Sequence, residues 1–128
     1  MAKAGLSNKV TFILGSILDP NIINQLSDID AVFIDPDWAV SGPYHKYRFI
    51  HSNTIPPADI LLNEMFKISG NVALVLPPLI DIAEFNILPM HERERLFLGD
   101  SHELFCLYFG NLMRKDSETE FRVEVRSF

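Results

Sequence analysis

One stretch limits what this chain can fold into: residues 28 to 47, DIDAVFIDPDWAVSGPYHKY. It begins with Ala31-Val32-Phe33-Ile34, an unbroken apolar run of β-branched and aromatic residues. Such a run predicts a strand buried on both faces. It stops abruptly at Asp35-Pro36-Asp37-Trp38. Proline has no N–H to give to a sheet ladder, so Pro36 marks where the strand leaves the sheet. A loop follows that carries Gly42-Pro43 and the rings of Trp38, Tyr44 and Tyr47. Open α/β sheets bind ligands at the carboxyl ends of parallel strands, and this segment delivers a carboxylate and an indole to such an end. A flat ring beside an acid suits a planar, partly cationic ligand such as a nucleobase.

The remaining elements read as supports for that segment. Residues 10 to 14 predict a first strand, ended by Gly15. Asp19-Pro20 then opens a short helix with Ile22, Ile23 and Leu26 on one side. Pro56-Pro57 precede Ala58, Leu61, Leu62 and Met65, which share one helix face. Asp59 complements the dipole of that helix, and Gly70 is placed to end it in a left-handed cap. Val72-Ala73-Leu74-Val75-Leu76 predicts a second buried strand, ended by Pro77 and Pro78, which completes a βαβ unit. A helical turn is expected between Asp81 and Asn86. Residues 95–98 and 104–109, joined by Gly99-Asp100-Ser101-His102, read as an antiparallel hairpin. Finally Phe121, Val123 and Val125 alternate with Arg122, Glu124 and Arg126 as a half-exposed edge strand.

Composition narrows the function. A chain of 128 residues, 48% hydrophobic, forms one domain with a sizeable core. No apolar run reaches the roughly eighteen residues of a membrane span, and the start lacks a secretory apolar region. The single cysteine, Cys106, lies in an apolar run and reads as a buried, inert thiol suited to the cytoplasm. His45, His51, His91 and His102 show no metal-ligand spacing. The absence of a Gly-x-x-x-x-Gly-Lys loop excludes a nucleotide triphosphatase of that type. The formal net charge is −6, whereas nucleic-acid binders neutralise phosphates with a basic face. An RNA surface would have to draw on the modest clusters at Lys46-Arg48 and Arg93-Arg95, or come from elsewhere.

The order strand, Asp35-Pro36-Asp37-Trp38, Ser41-Gly42-Pro43-Tyr44 and, later, Tyr108-Phe109-Gly110-Asn111-Leu112 resembles a known family. It is similar to the RNA cap guanine-N2 methyltransferases, the trimethylguanosine-synthase-like members of the class I S-adenosylmethionine (SAM) methyltransferases. Asp35, Pro36 and Trp38 match the family's (Asp or Ser)-Pro-Pro-Trp, while Asp37 stands at its second proline. The resemblance implies an α/β, Rossmann-like class I methyltransferase sheet with a C-terminal antiparallel hairpin. It also implies metal-free methyl transfer from SAM to an exocyclic guanine or similar amine nitrogen, with RNA as the substrate class. By the same resemblance Asp35, Pro36 and Trp38 are the catalytic residues that hold the acceptor. Asp37, Gly42, Pro43, Tyr44 and Tyr47 bind substrate. Gly15 and Ser16 approach the cofactor adenine, Ser16 standing where the family has aspartate. Plain structural alternatives stand beside these roles: Asp35 capping a turn, Trp38 covering the core, and Ser16 as a turn serine.

The family's Gly-x-Gly turn and acid-ended second strand, which hold SAM, have no counterpart here, because the six glycines are scattered singly. Residues 1–128 are therefore expected to form a single partial domain, with the N-terminal SAM-binding strands absent and residues 1–7 ending a preceding helix. SAM should bind weakly or not at all. The sheet edge left open should promote a homo-oligomer, or pairing with the missing N-terminal portion. A second class fits the same residues: a non-catalytic α/β interaction module or degenerate methyltransferase remnant, acting through self-association or a partner chain.

Overall fold

The computed structural model describes residues 9–38, 47–50 and 52–125. In chain order its elements are α1 (Pro20–Ile23), β1 (Val32–Ile34), α2 (Ala58–Phe66), β2 (Val72–Leu76), β3 (His91–Leu98), β4 (Ser101–Phe109) and β5 (Glu118–Val123). The strands form one mixed sheet in the order β1-β2-β4-β3-β5. Two 3₁₀ turns, Ile82–Ile87 and Gly110–Leu112, complete an α/β architecture with few helices. No described helix is long and apolar enough to cross a membrane.

The core follows from the two periodicities in the sequence. On α2, Ala58, Leu61, Leu62 and Met65 are all buried, as their spacing predicts. Asp59 lies in the first turn, and a Lys67–Glu64 ion pair at 2.9 Å closes the last. Alternate residues of the central strands meet this face: Leu74 and Leu76 from β2, then Phe105, Leu107 and Phe109 from β4. Each large side chain so buried contributes roughly 2 kcal/mol. β2 is buried throughout, as expected of a strand between two neighbours. β1 runs parallel to it and β4 antiparallel, so β1, α2 and β2 form the expected βαβ unit. The opposite face of the sheet has only a small cluster, Ala73, Val75 and Cys106 with Leu104, Tyr108 and Leu112 beside it. No described helix covers that face.

Three expectations are corrected. Residues 10–14 form no strand, and Leu14 is wholly exposed. A β-prone run becomes a strand only where it pairs, and residues 10–14 pair with no described strand. β1 is not buried on both faces: Ile34 is enclosed by the core, but Phe33 is 68% exposed on the uncovered face. Gly70 is not a left-handed cap, because α2 ends at Lys67 in right-handed geometry. The chain instead closes that end through Ser69 Oγ and Asn71 Nδ2, which both donate to Asp30 O at 3.0 and 2.9 Å.

The hairpin is present and longer than expected. β3 pairs with β4 from His91↔Phe109 to Leu98↔Ser101, around a turn at Gly99 (φ 59°) and Asp100. The expected helical turn near Asp81 is the 3₁₀ segment at Ile82–Ile87, capped by the Asp81 carboxylate accepting from Ala83 N–H at 3.0 Å. β5 is an exposed edge strand, paired parallel to β3. β3 therefore lies between two strands, although His91-Glu92-Arg93-Glu94-Arg95 is almost wholly charged. It is tolerated there because every charge has a partner. Glu118 accepts from Arg93 Nη2 at 2.5 Å and from Arg95 Nε, and Arg114 joins Glu92 and Glu94, each at 2.8 Å.

Candidate functional site

The candidate site lies at the carboxyl ends of β1 and β2, the parallel pair. Beyond Ile34 the chain passes an exposed Asp35 and a buried Pro36. Asp37 then makes a two-way backbone bridge: its N–H donates to Ile55 O at 2.8 Å, and Ile55 N–H donates to Asp37 O at 2.9 Å. That bridge fixes the direction in which Trp38 leaves. Trp38 is half-buried against the core, edge-on to the Tyr47 ring at 6.2 Å and 79°. Tyr47 is buried in turn, and its N–H donates to Leu79 O at 2.8 Å, just beyond the end of β2.

A cleft of about 650 Å³ opens beside this aromatic pair, lined by Tyr47, Arg48, Pro78, Leu79, Ile80, Asp81 and Glu84. Its wall is held by Glu84, which is only 9% exposed. One oxygen of Glu84 accepts from Arg48 Nε and Nη2 at 3.1 and 2.9 Å. The other accepts from the N–H groups of Phe49 and Ile50 at 2.5 and 3.3 Å. A buried carboxylate thus orders the turn after Tyr47 and aims an exposed guanidinium at the cleft.

The structure brings Trp38 and Tyr47 together, but only Tyr47 lines the cleft; Trp38 packs on the core outside that lining. It leaves Asp35 exposed, outside the described lining of that cleft, and Asp37 exposed with its backbone in the bridge. Gly42, Pro43 and Tyr44 lie outside the described residues, as do residues 1–7. Gly15 and Ser16 are in an exposed turn. There Ser16 Oγ accepts from Leu18 N–H at 3.3 Å, and a Cβ at Gly15 would meet Ile22 Cδ1 at 2.9 Å. Among the described residues no cluster could hold a metal ion.

Two groups were not singled out from sequence, Arg48–Glu84 and a cluster on the uncovered face of the sheet. The only signal for Glu84 was an acid inside the apolar run Ile82-Ala83-Glu84-Phe85. The basic clusters noted in the sequence are partly spent internally, Arg48 on Glu84 and both Arg93 and Arg95 on Glu118.

On the uncovered face Glu92 is fully enclosed. It accepts from Arg114 N–H at 3.0 Å, Arg114 Nη2 at 2.8 Å and Thr119 Oγ1 at 2.6 Å. Tyr108 Oη donates to Glu94 at 2.9 Å beside it. Burial pushes the Glu92 carboxyl up, but the bonds from Arg114 and Thr119 outweigh it and hold the pKa down at about 2, against 4.5 ordinarily. Glu118 is lowered as well, by Arg95 and Arg93. A carboxyl depressed in the fold stabilises it fully above the unfolded value of 4.5, and that stabilisation is lost as pH falls toward 2. Denaturation of wild type and Glu92→Gln measured at stepped pH should show a difference that is constant above about pH 5, then a loss on the order of 2 kcal/mol from this group under acid. Glu92→Gln should flatten that acid limb. A wild-type stability that does not fall between pH 4.5 and 2 would contradict the pairing.

No protein-family model matches this sequence, and none of the curated proteins searched matches it.

Proposed function

We propose that this chain is the acceptor-holding part of a SAM-dependent methyltransferase acting on an exocyclic guanine or similar amine nitrogen, with RNA as the substrate class. One observation carries this reading: β1 runs parallel to β2 and releases Asp35-Pro36-Asp37-Trp38 at its carboxyl end, where Trp38 packs edge-on against Tyr47, a ring that itself lines a cleft. Such a crevice is where α/β sheets take their ligands. The antiparallel hairpin ending in Tyr108-Phe109-Gly110-Asn111-Leu112 supports the same reading.

SAM would supply the methyl group, but the described residues do not fit it. Gly15 and Ser16 sit in a turn packed on α1, and no glycine loop approaches the site. No cofactor step is therefore assigned to these residues. Their part is positional: Trp38, braced edge-on by the buried Tyr47, would stack on the base, and the Asp35 carboxylate or the Pro36 carbonyl would accept a hydrogen bond from the acceptor amine and fix its lone pair.

Calorimetric titration with S-adenosylhomocysteine should show no saturable binding to this chain, and a micromolar Kd would overturn the assigned misfit. The acceptor role is read separately. Saturation-transfer NMR should detect guanosine monophosphate in preference to uridine monophosphate, and Trp38→Ala should weaken that signal about tenfold, as loss of one stacking partner would. Equal signals from the two nucleotides would sink the reading.

A second reading, a non-catalytic α/β interaction module acting through self-association or a partner chain, is favoured by the open edge of β1 and the bare sheet face beside it. The misfit with SAM favours it too.

A further inference from the structure

We propose that the open edge of β1 binds an extended segment of another polypeptide, apolar at its centre and flanked by lysine or arginine, which joins the sheet as an added strand. The inference builds on the interaction-module reading and stands apart from methyl transfer. Val32 N–H donates to Asn71 O at 2.8 Å, toward β2. Backbone polar groups alternate along a strand, so the N–H and C=O of Phe33 point the other way, to the outer edge. No described strand lies there. An edge of this kind is a template for strand addition.

The side chains beside that edge suit an apolar guest. Phe33 is 68% exposed, and it borders a groove of about 490 Å³ with Ala73, Tyr108 and Leu112. The one cation on that groove, Arg114, is already held by Glu92 and Glu94.

Charge selects the guest. From residue 10 to residue 44 the sequence has Asp19, Asp28, Asp30, Asp35 and Asp37 and no lysine, arginine or histidine. Asp28, Asp30 and Asp35 are exposed, and their carboxylates make no hydrogen bond or ion pair among the described residues. A second copy would bring the same carboxylates against these, in chains that each carry −6. Like charges facing across a strand pair oppose pairing, so this rim disfavours self-addition and attracts a basic-flanked segment.

The test uses the full chain and three peptides in calorimetry at low salt. One is Lys-Lys-Val-Thr-Val-Thr-Val-Lys-Lys, one has glutamate in place of every lysine, and one keeps the lysines but has proline in place of threonine. The first should bind about tenfold or more tighter than the second, and its affinity should fall with added salt. The proline peptide cannot extend a ladder and should not bind. Asp28→Asn with Asp30→Lys should remove the preference for lysine, with the thermal midpoint unchanged. Proline and threonine peptides binding alike would mean charge attraction without strand addition and would overturn the proposal. So would equal binding of the glutamate peptide, or a chain that sediments as a dimer dispersed by Phe33→Asp. Nucleotide binding at Trp38 is scored independently, so either idea can fail alone.

Discussion

Arg114→Ala should destabilise the fold clearly more than its exposed position suggests, because it leaves a buried carboxylate short of partners. The Arg114 side chain is 65% exposed, and most substitutions at such surface sites stay within about 0.5 kcal/mol. The difference lies in what it covers. Glu92 has no exposure, and Arg114 supplies its backbone N–H and two guanidinium nitrogens to that carboxylate. Without the guanidinium, Thr119 and the Arg114 backbone alone would face a buried charge. Urea denaturation followed by circular dichroism measures the loss. Adding Glu92→Gln to Arg114→Ala should recover most of it, because the charge that needs a partner is then gone. A single-variant loss below about 1 kcal/mol would show that water reaches Glu92 and that the pair is an ordinary surface bridge.

Gly110→Ala should cost about 3 kcal/mol, the sum of a left-handed residue given a side chain and a steric overlap that cannot relax. Gly110 has φ 64°, and a Cβ there would lie 2.5 Å from the backbone carbonyl oxygen of Gly70 and against Asn71 Oδ1. Backbone cannot swing aside as a flexible side chain would. Asn71 cannot yield either, since it accepts from Asn111 N–H at 2.8 Å and donates to Asp30 O at 2.9 Å. Gly70→Ala is the natural control: a Cβ at Gly70 meets nothing within 4 Å. It should leave stability unchanged or raise it slightly. If the two substitutions proved equally harmful, the close approach of these loops would be wrong.

These two glycines show what the sequence could and could not reveal. Gly70 followed an apolar helix at the usual distance, so a left-handed cap was expected there, yet α2 ends at Phe66, four residues earlier. Gly110 was noticed only within Tyr108-Phe109-Gly110-Asn111-Leu112, and its steric reason appears once residues some forty positions apart are brought together. The faces of α2, the buried run of β2 and the Gly99-Asp100 turn were legible because local spacing decides them. β1 was half legible. An apolar run marks a strand but does not say whether both sides will be covered, and Phe33 is not. Residues 10–14 carried the same local signal as β2 yet pair with no described strand, and local signal alone does not decide pairing. The charged start of β3 was hidden because its partners, Arg114, Glu118 and Thr119, lie twenty or more positions away. At the candidate site, the turn of chain at Pro36 and the aromatic company of Trp38 could be anticipated. The clamp from Glu84 to Arg48, Phe49 and Ile50 could not, since it crosses more than thirty positions.

Trp38 is the sole indole of the chain, set edge-on to Tyr47 where the parallel strands end. Ultraviolet emission excited at the red edge of protein absorbance therefore arises from one corner of the molecule. The crevice is in effect labelled by its own chemistry, and a disturbance there has an optical signature of its own.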